Sequence, residues 1–474
     1  MSQEHLDQHS KEAELLQAEK AKAPELFFSE PFIENNQNLS PFGISIPDKE
    51  HLPLGFLKLR PEDFIVEEIG LEQDQTDILH KNTSFEESFL KTNETVYATL
   101  VKCGLSTVEI VQAISKKIET DPKNIGFAGI KDKNAITSQR ISIRKTSLSN
   151  IKNLASPYYF LKDFTIGKGS VGKAALSGNR FTILVRTPEL SDATFQAFEE
   201  SLKRVETEGF WNYFYLQRFG TPRLCNYEWG LDILRGEYEK AVYGVITRPG
   251  VCELPYFKKL RRESEPLFGN WTMLRQYFES YPIFFRHELK LIHHLEENPA
   301  DFVGALNTMP DQITLWVYAL ASIFFNKKIA FCIENEKNLP NKIPLFLSRL
   351  EKDWGFYRNQ LNALKLSPPP FENLRPFPYL VPMHREVPTK DRAIIHGYKR
   401  LPEGIAISFT LGKGSYATTF LSHLFNLVSG AKPDWVKNAP LDFYEALHGQ
   451  SPTDTLTYFR PITDALTQNA LDEE

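Results

Sequence analysis

Cysteine and methionine are both scarce in this 474-residue chain, with four of each. Cys103, Cys225, Cys252 and Cys332 are scattered, with no C-x-x-C pair and no histidine at metal-ligand spacing, which excludes a disulfide framework and a zinc ribbon. This usage predicts a reducing compartment. No window approaches the roughly 18 uninterrupted apolar residues of a membrane span, and the first residues lack the basic-then-apolar order of a signal peptide. The expectation is a cytoplasmic protein. Hydrophobic residues make up 42% and charged residues 24%, which excludes global disorder and leaves an ordinary globular chain. Its length, about three times a ~150-residue domain, predicts two or three domains with ample buried core.

Acidic and basic residues are unevenly spread. Residues 1–50 and 51–100 each carry 4 Lys/Arg against 10 Asp/Glu, whereas 101–190 carry 15 against 6, a local excess of +9 inside a chain of net charge -5. Such a block suits a polyanion, because each neutralised phosphate releases condensed counterions. A solvated charged face explains the same count equally well.

Residues 1–50 are polar and acidic and read as a mobile extension, with one short helix over 11–22. Beyond them, "FLKLRPEDFIVEEIG" reads as two strands around a proline bend. Ser106 and Glu109 have capping-box spacing ahead of Ile110, Ile114 and Ile118, a helix start. Strands are expected over 126–130, 140–144, 158–166 and 181–186, and a helix from Ser191 or Asp192 to Gly209. From about 223 to 388 the pattern turns helical, with a helix over 312–329 that is apolar on a wide face. The last 75 or so residues return to strand-like alternation in "GIAISFTLGKGSYATTF". Strands with short turns mixed with helices predict an α+β fold with a mainly antiparallel sheet.

Two motif matches fail on context. Gly167 to Ala174 fits G-x-G-x-x-G and nearly fits a P-loop, but Ala174 stands where a magnesium-binding hydroxyl is needed, and the segment leads into a strand. A flexible basic loop is the better reading, with no nucleotide cofactor. His287, His293 and His294 lie six and seven residues apart, too far along a helix to share one ion, so no metal is expected.

The most unusual segment is "GFAGIKDKNAITSQ" (126–139), inside the basic block. Its small residues would let backbone approach a ligand closely, and one carboxylate, Asp132, stands between Lys131 and Lys133. A Lys-Asp turn on the surface is the bland alternative. This segment resembles the signature of the TruD family of pseudouridine synthases, A-G-x-K-D-x-x-A-x-T-x-Q. Five further segments match the family in order. "GFLKLRPEDFIVEE" (55–68) resembles its Lys ahead of P-x-D-F-x-V-x-E, and "GNRF" (178–181) its G-N-x-F. "NYFYLQRFG" (212–220) carries Tyr215 where Gly is usual. "ALASIFFN" (319–326) is similar to A-x-x-S-x-x-F-N, and "FTLGKGSYATTFL" (409–421) carries Gly412 where Pro is usual.

The resemblance implies an RNA pseudouridine synthase without cofactor or metal, its RNA partner being tRNA at uridine 13 of the D arm. It implies a pseudouridine synthase domain over 51–222 and 389–474, a mainly antiparallel mixed sheet flanked by helices. A mostly helical inserted TRUD domain would fill 223–388. Asp132 is implied as the catalytic nucleophile or base at the sugar, and Lys58 as the group holding its carboxylate charged and oriented. Phe181 is implied to stack on the uracil and Asn179, on the same strand face, to orient the aspartate or bond the base. The motifs put Glu67, Gln139, Gln217 and Arg218 near the site. Lys131, Lys133, Arg140, Arg144, Lys168, Lys173 and Arg180 are the expected RNA contacts. A catalytically silent RNA-binding or RNA-folding protein on the same scaffold, or a synthase acting on another RNA, is the alternative.

Overall fold

The structure is a computed structural model describing residues 3–80, 94–146, 148–151, 154–366 and 370–472. The chain divides into two compact units. One comprises Met1–Phe32, Asn36–Pro47 and Trp211–Lys390; the other comprises Ile33–Asn35, Asp48–Phe210 and Asp391–Glu474.

The second unit is built on a 12-stranded sheet. Its principal strands are β1 (Leu54–Phe56), β2 (Phe64–Ile69), β3 (Thr95–Lys102), β4 (Ile125–Phe127), β5 (Ile136–Arg144), β6 (Tyr159–Gly167), β7 (Gly178–Arg186), β8 (Ala393–Leu401), β9 (Gly404–Gly412) and β10 (Asn426–Ser429). They run in the order β10-β1-β7-β2-β5-β3-β6, with β9 along β7, β8 along β9, and β4 along β5. Pairing is antiparallel except for β2 with β5 and β10 with β1. The strand expected over 126–130 ends at Phe127, because Ala128 onward turns away as the loop carrying Asp132.

One face of this sheet is covered by the helix Thr107–Lys117. Its start is set locally: the Ser106 hydroxyl accepts from Glu109 N while the Glu109 carboxylate accepts from Ser106 N. Its Ile110, Val111 and Ile114 are buried in one cluster with Ile141 and Ile143 of β5, each worth roughly 1.5–3 kcal/mol on removal from water.

The first unit is helical around Pro310–Glu334, a helix of 25 residues. It is long and apolar enough to cross a membrane by length and composition, but 72% of that window is buried in the structure, as a core helix would be. Helix Asn226–Arg235 packs directly upon it. A Cβ at Gly230 would lie 2.3 Å from the Trp316 carbonyl oxygen, so only glycine permits that approach. Trp229 meets Trp316 edge-on at 5.0 Å.

Two expectations are corrected here. Residues 1–50 do not form a separate mobile extension. Phe27 is buried in the helical core, Glu12 accepts from the Ile283 and Phe284 amides, and the Asn326 side chain donates to the Phe42 carbonyl. Apolar residues sparse enough to look like a tail are sufficient when a large core receives them. The segment from Trp211 to Pro222, expected in the sheet domain, belongs instead to the helical unit. Asn326 explains this, accepting from Phe214 N at 2.9 Å and donating to Phe214 O at 2.8 Å, which ties two of the sequence motifs together.

Candidate active site

Side chains alternate along a strand, so the register of β2, β7 and β9 sorts the motif residues by face. Glu68, Asn179 and Leu411 form one row, and Val66, Phe181 and Phe409 the next, on a common face. Glu67, Arg180 and Thr410 form a row on the opposite face.

The Asp132 loop, between β4 and β5, is held on the first face. Its backbone is bonded at successive points: Gly129 O accepts from Gln139 Nε2 (3.1 Å), Lys131 N donates to Thr107 Oγ1 (3.0 Å), and Lys133 O accepts from Gly104 N (3.0 Å). Asp132 O accepts from Lys102 Nζ. With its main chain secured, Asp132 presents a carboxylate 51% exposed, and Lys58 Nζ stands 3.2 Å from Oδ2. Lys58 itself has φ +58°, a left-handed conformation uncommon for a non-glycine residue. Its ammonium lies 4.1 Å from the centroid of the Phe64 ring, an attractive cation–π placement.

Beneath the loop, Lys131 is buried. Its Nζ lies 2.7 Å from Glu68 Oε2 and donates to Asn179 Oδ1 at 2.6 Å. Asn179 is thus oriented by Lys131, the residue beside Asp132. Phe181, two positions along β7, is only 7% exposed; Phe409 stacks on it at 5.3 Å and Phe64 meets it edge-on at 6.1 Å. That packing leaves little ring surface for a base in this arrangement.

Several expected contacts are relocated. Glu67 lies on the far face, where its carboxylate accepts from Tyr444 OH (2.8 Å), Ile78 N (3.1 Å) and Gln75 Nε2 (3.1 Å). Burial pushes its carboxyl above the ordinary range. Arg180 shares that face and donates to Ser408 Oγ. Gln139 is buried as a support of the loop, its Oε1 accepting from Thr107 Oγ1 at 2.8 Å. Arg140 is half-buried against the Asp163 carbonyl and the Tyr97 ring. Gln217, exposed, and Arg218, over the Phe214 ring at 5.3 Å, stand in the helical unit on the turn Leu216–Phe219.

The basic block shrinks as well. Lys102, Lys131, Lys162 and Arg186 are buried, Lys162 beside Asp77 and Arg186 in a two-point contact with Asp63 at 2.8 Å. Lys133, Arg144, Lys168 and Lys173 are exposed and available to an anionic ligand. Gly126 makes room for the protein's own chain instead of a ligand, since a Cβ there would lie 2.4 Å from Val171 O.

Two contributors escape the sequence reading. Glu68 was legible, because P-x-D-F-x-V-x-E ends on residue 68, one beyond Glu67. Lys102 carried no local signal; burial lowers its pKa to about 8, and only the tertiary structure brings it to the Asp132 carbonyl.

A family model for tRNA pseudouridine synthase D (TruD) matches residues 53–344, more than half of the chain. The chain belongs to the TruD family. Among TruD relatives, "Probable tRNA pseudouridine synthase D 1" of Methanocaldococcus jannaschii is 29% identical over 277 residues, 58% of this chain and 68% of that protein. A relative from Methanosarcina mazei is 30% identical over 315 residues, 65% of each chain. The matched stretches therefore leave about a third of each relative uncovered. A crystal structure of a TruD protein from Methanosarcina mazei shares the fold with a TM-score of 0.62 at 23% identity, covering 81% of this chain and 97% of that one. The fold is thus the TruD fold, a mixed α/β sheet with helices.

Proposed function

We propose that this TruD protein isomerises uridine to pseudouridine in tRNA, at uridine 13 of the D arm, in the cytoplasm. The observation that carries the reading is the Lys58–Asp132 pair at 3.2 Å, on a loop whose main chain is fastened at four points. The isomerisation breaks the N1–C1′ bond and forms C5–C1′; C5 gives its proton to solvent and N1 gains one. Nothing is oxidised and no co-substrate is consumed. Such chemistry needs a fixed carboxylate at the ribose, adding to C1′ or removing a sugar proton, and a pocket that keeps the detached base. Asp132 meets the first need, with Lys58 orienting it. Asn179, aligned by Lys131, is the polar group available to the base. Lys133, Arg144, Lys168 and Lys173 are the exposed cations that would offset the cost of extruding the target nucleotide.

The experiment is tritium release from 5-tritiated uridine in a tRNA transcript, with wild-type protein, Asp132→Ala, and a transcript changed at uridine 13. Release that requires both Asp132 and uridine 13 is expected. Release that requires Asp132 alone would move the target to another uridine. No release would favour a synthase acting on another RNA or an RNA-binding protein without turnover.

A further inference from the structure

Ile130 is the anomaly of the Asp132 loop. It is 68% exposed, whereas Ala128 and Lys131 of the same loop are buried. Isolated exposed aliphatic residues are ordinary on protein surfaces, so exposure alone assigns nothing. The surroundings of this one do.

The main chain on both sides of Ile130 is fastened, through Gly129 O to Gln139 Nε2 and through Lys131 N to Thr107 Oγ1. Ala128 O also accepts from Ala174 N at 2.7 Å. Ile130 therefore cannot swing inward to hide its side chain, and its β-branch restricts χ1 as well. The result is a stiff apolar projection two residues before the carboxylate proposed to react, with the exposed Lys133 just beyond it. A target base must leave its stack to reach Asp132, which opens an apolar gap between its neighbours. Rigid aliphatic side chains fill such gaps in nucleic acids, because they replace lost stacking area without offering groups that need water.

We propose that Ile130 is a wedge that enters the RNA stack where the target uridine leaves it and packs against the adjoining base. This rests on the proposed RNA-modifying function. The contact is with base surface and not with a sequence of hydrogen-bonding groups, so it assists extrusion without selecting the base identity. Rigidity matters to the role, since a preorganised side chain loses little freedom on insertion.

The test uses the full-length protein and folded tRNA carrying 2-aminopurine at the nucleotide 3′ of uridine 13, together with Ile130→Ala and Ile130→Leu. Binding of the wild type should change the 2-aminopurine fluorescence, Ile130→Leu should retain most of that change, and Ile130→Ala should lose it. On the tritium assay, Ile130→Ala should lower kcat/KM for folded tRNA about tenfold, as loss of apolar contact equal to just under two buried methylenes predicts. Thermal melting should be nearly the same in all three proteins, because the residue is 68% exposed. Unchanged fluorescence and turnover in Ile130→Ala would overturn the wedge, as would failure of the wild type to bind tRNA. If the wild type binds but releases no tritium, the proposed activity falls while the fluorescence comparison still decides the role of Ile130.

Discussion

Lys131 and Glu68 meet at 2.7 Å inside the sheet unit, both side chains nearly withdrawn from water. Charges in that setting are costly unless paired, and removing one partner of such a pair typically costs about 3–5 kcal/mol. Because Lys131 also holds Asn179 and precedes Asp132, the pair links the body of β2 to the site loop. Glu68→Gln should lower stability by about 3 kcal/mol in urea denaturation and depress tritium release. Glu67→Gln, on the opposite face with a carboxyl already raised by burial, should leave turnover close to wild type. Equal losses in the two variants would contradict the assignment of faces.

Asp132→Asn keeps the size of the side chain and every main-chain bond of its loop. It should abolish tritium release while leaving tRNA affinity nearly unchanged, as measured by filter binding. Retained turnover would sink the proposed mechanism.

Lys102 supplies a pH dependence. Burial lowers its folded-state pKa to about 8 from the ordinary 10.5. Between those values the unfolded chain binds the additional proton, so this residue makes stability rise with pH across that window and contributes no slope below it. The full span is worth about 3 kcal/mol. Comparing urea midpoints of the wild type and Lys102→Met from pH 7.5 to 10 should show a larger rise in the wild type, the difference being the share of Lys102. Lys102→Met also leaves the Asp132 carbonyl without its donor, so turnover should fall.

Exposed cations and buried ones should separate in salt. Lys133 and Arg144 are exposed, and charge reversal at either should reduce the slope of log affinity against log salt by about 1 for each phosphate that is no longer neutralised. Slopes equal to wild type in both variants would place the RNA path elsewhere.

The sequence by itself determined the features whose causes are local. The Ser106–Glu109 capping box starts a helix because both reciprocal bonds form within one turn, and the strand runs lie within a few residues of where their composition puts them. The motifs, read in order, pointed to the family and to Asp132 with Lys58. What the tertiary structure alone decided is which neighbour faces which way. Every residue of β2 is buried, so period-two alternation of polarity is absent there, and although motif spacing singles out Glu68, the faces of Glu67 and Glu68 are fixed only when β7 and β5 pack beside them. Lys131 and Lys133 carry the same charge on either side of Asp132, and no local pattern tells their burial apart, yet one is paired with Glu68 under the loop and the other is exposed. Residues 1–50 read as a tail because their apolar residues are few, although all but 33–35 and 48–50 belong to the helical unit. Their place in the helical unit depends on partners such as Asn326 and the Ile283–Phe284 amides, more than 250 residues away in the chain. Burial is a property of what a residue meets, and for these residues the partners lie beyond the reach of any local pattern.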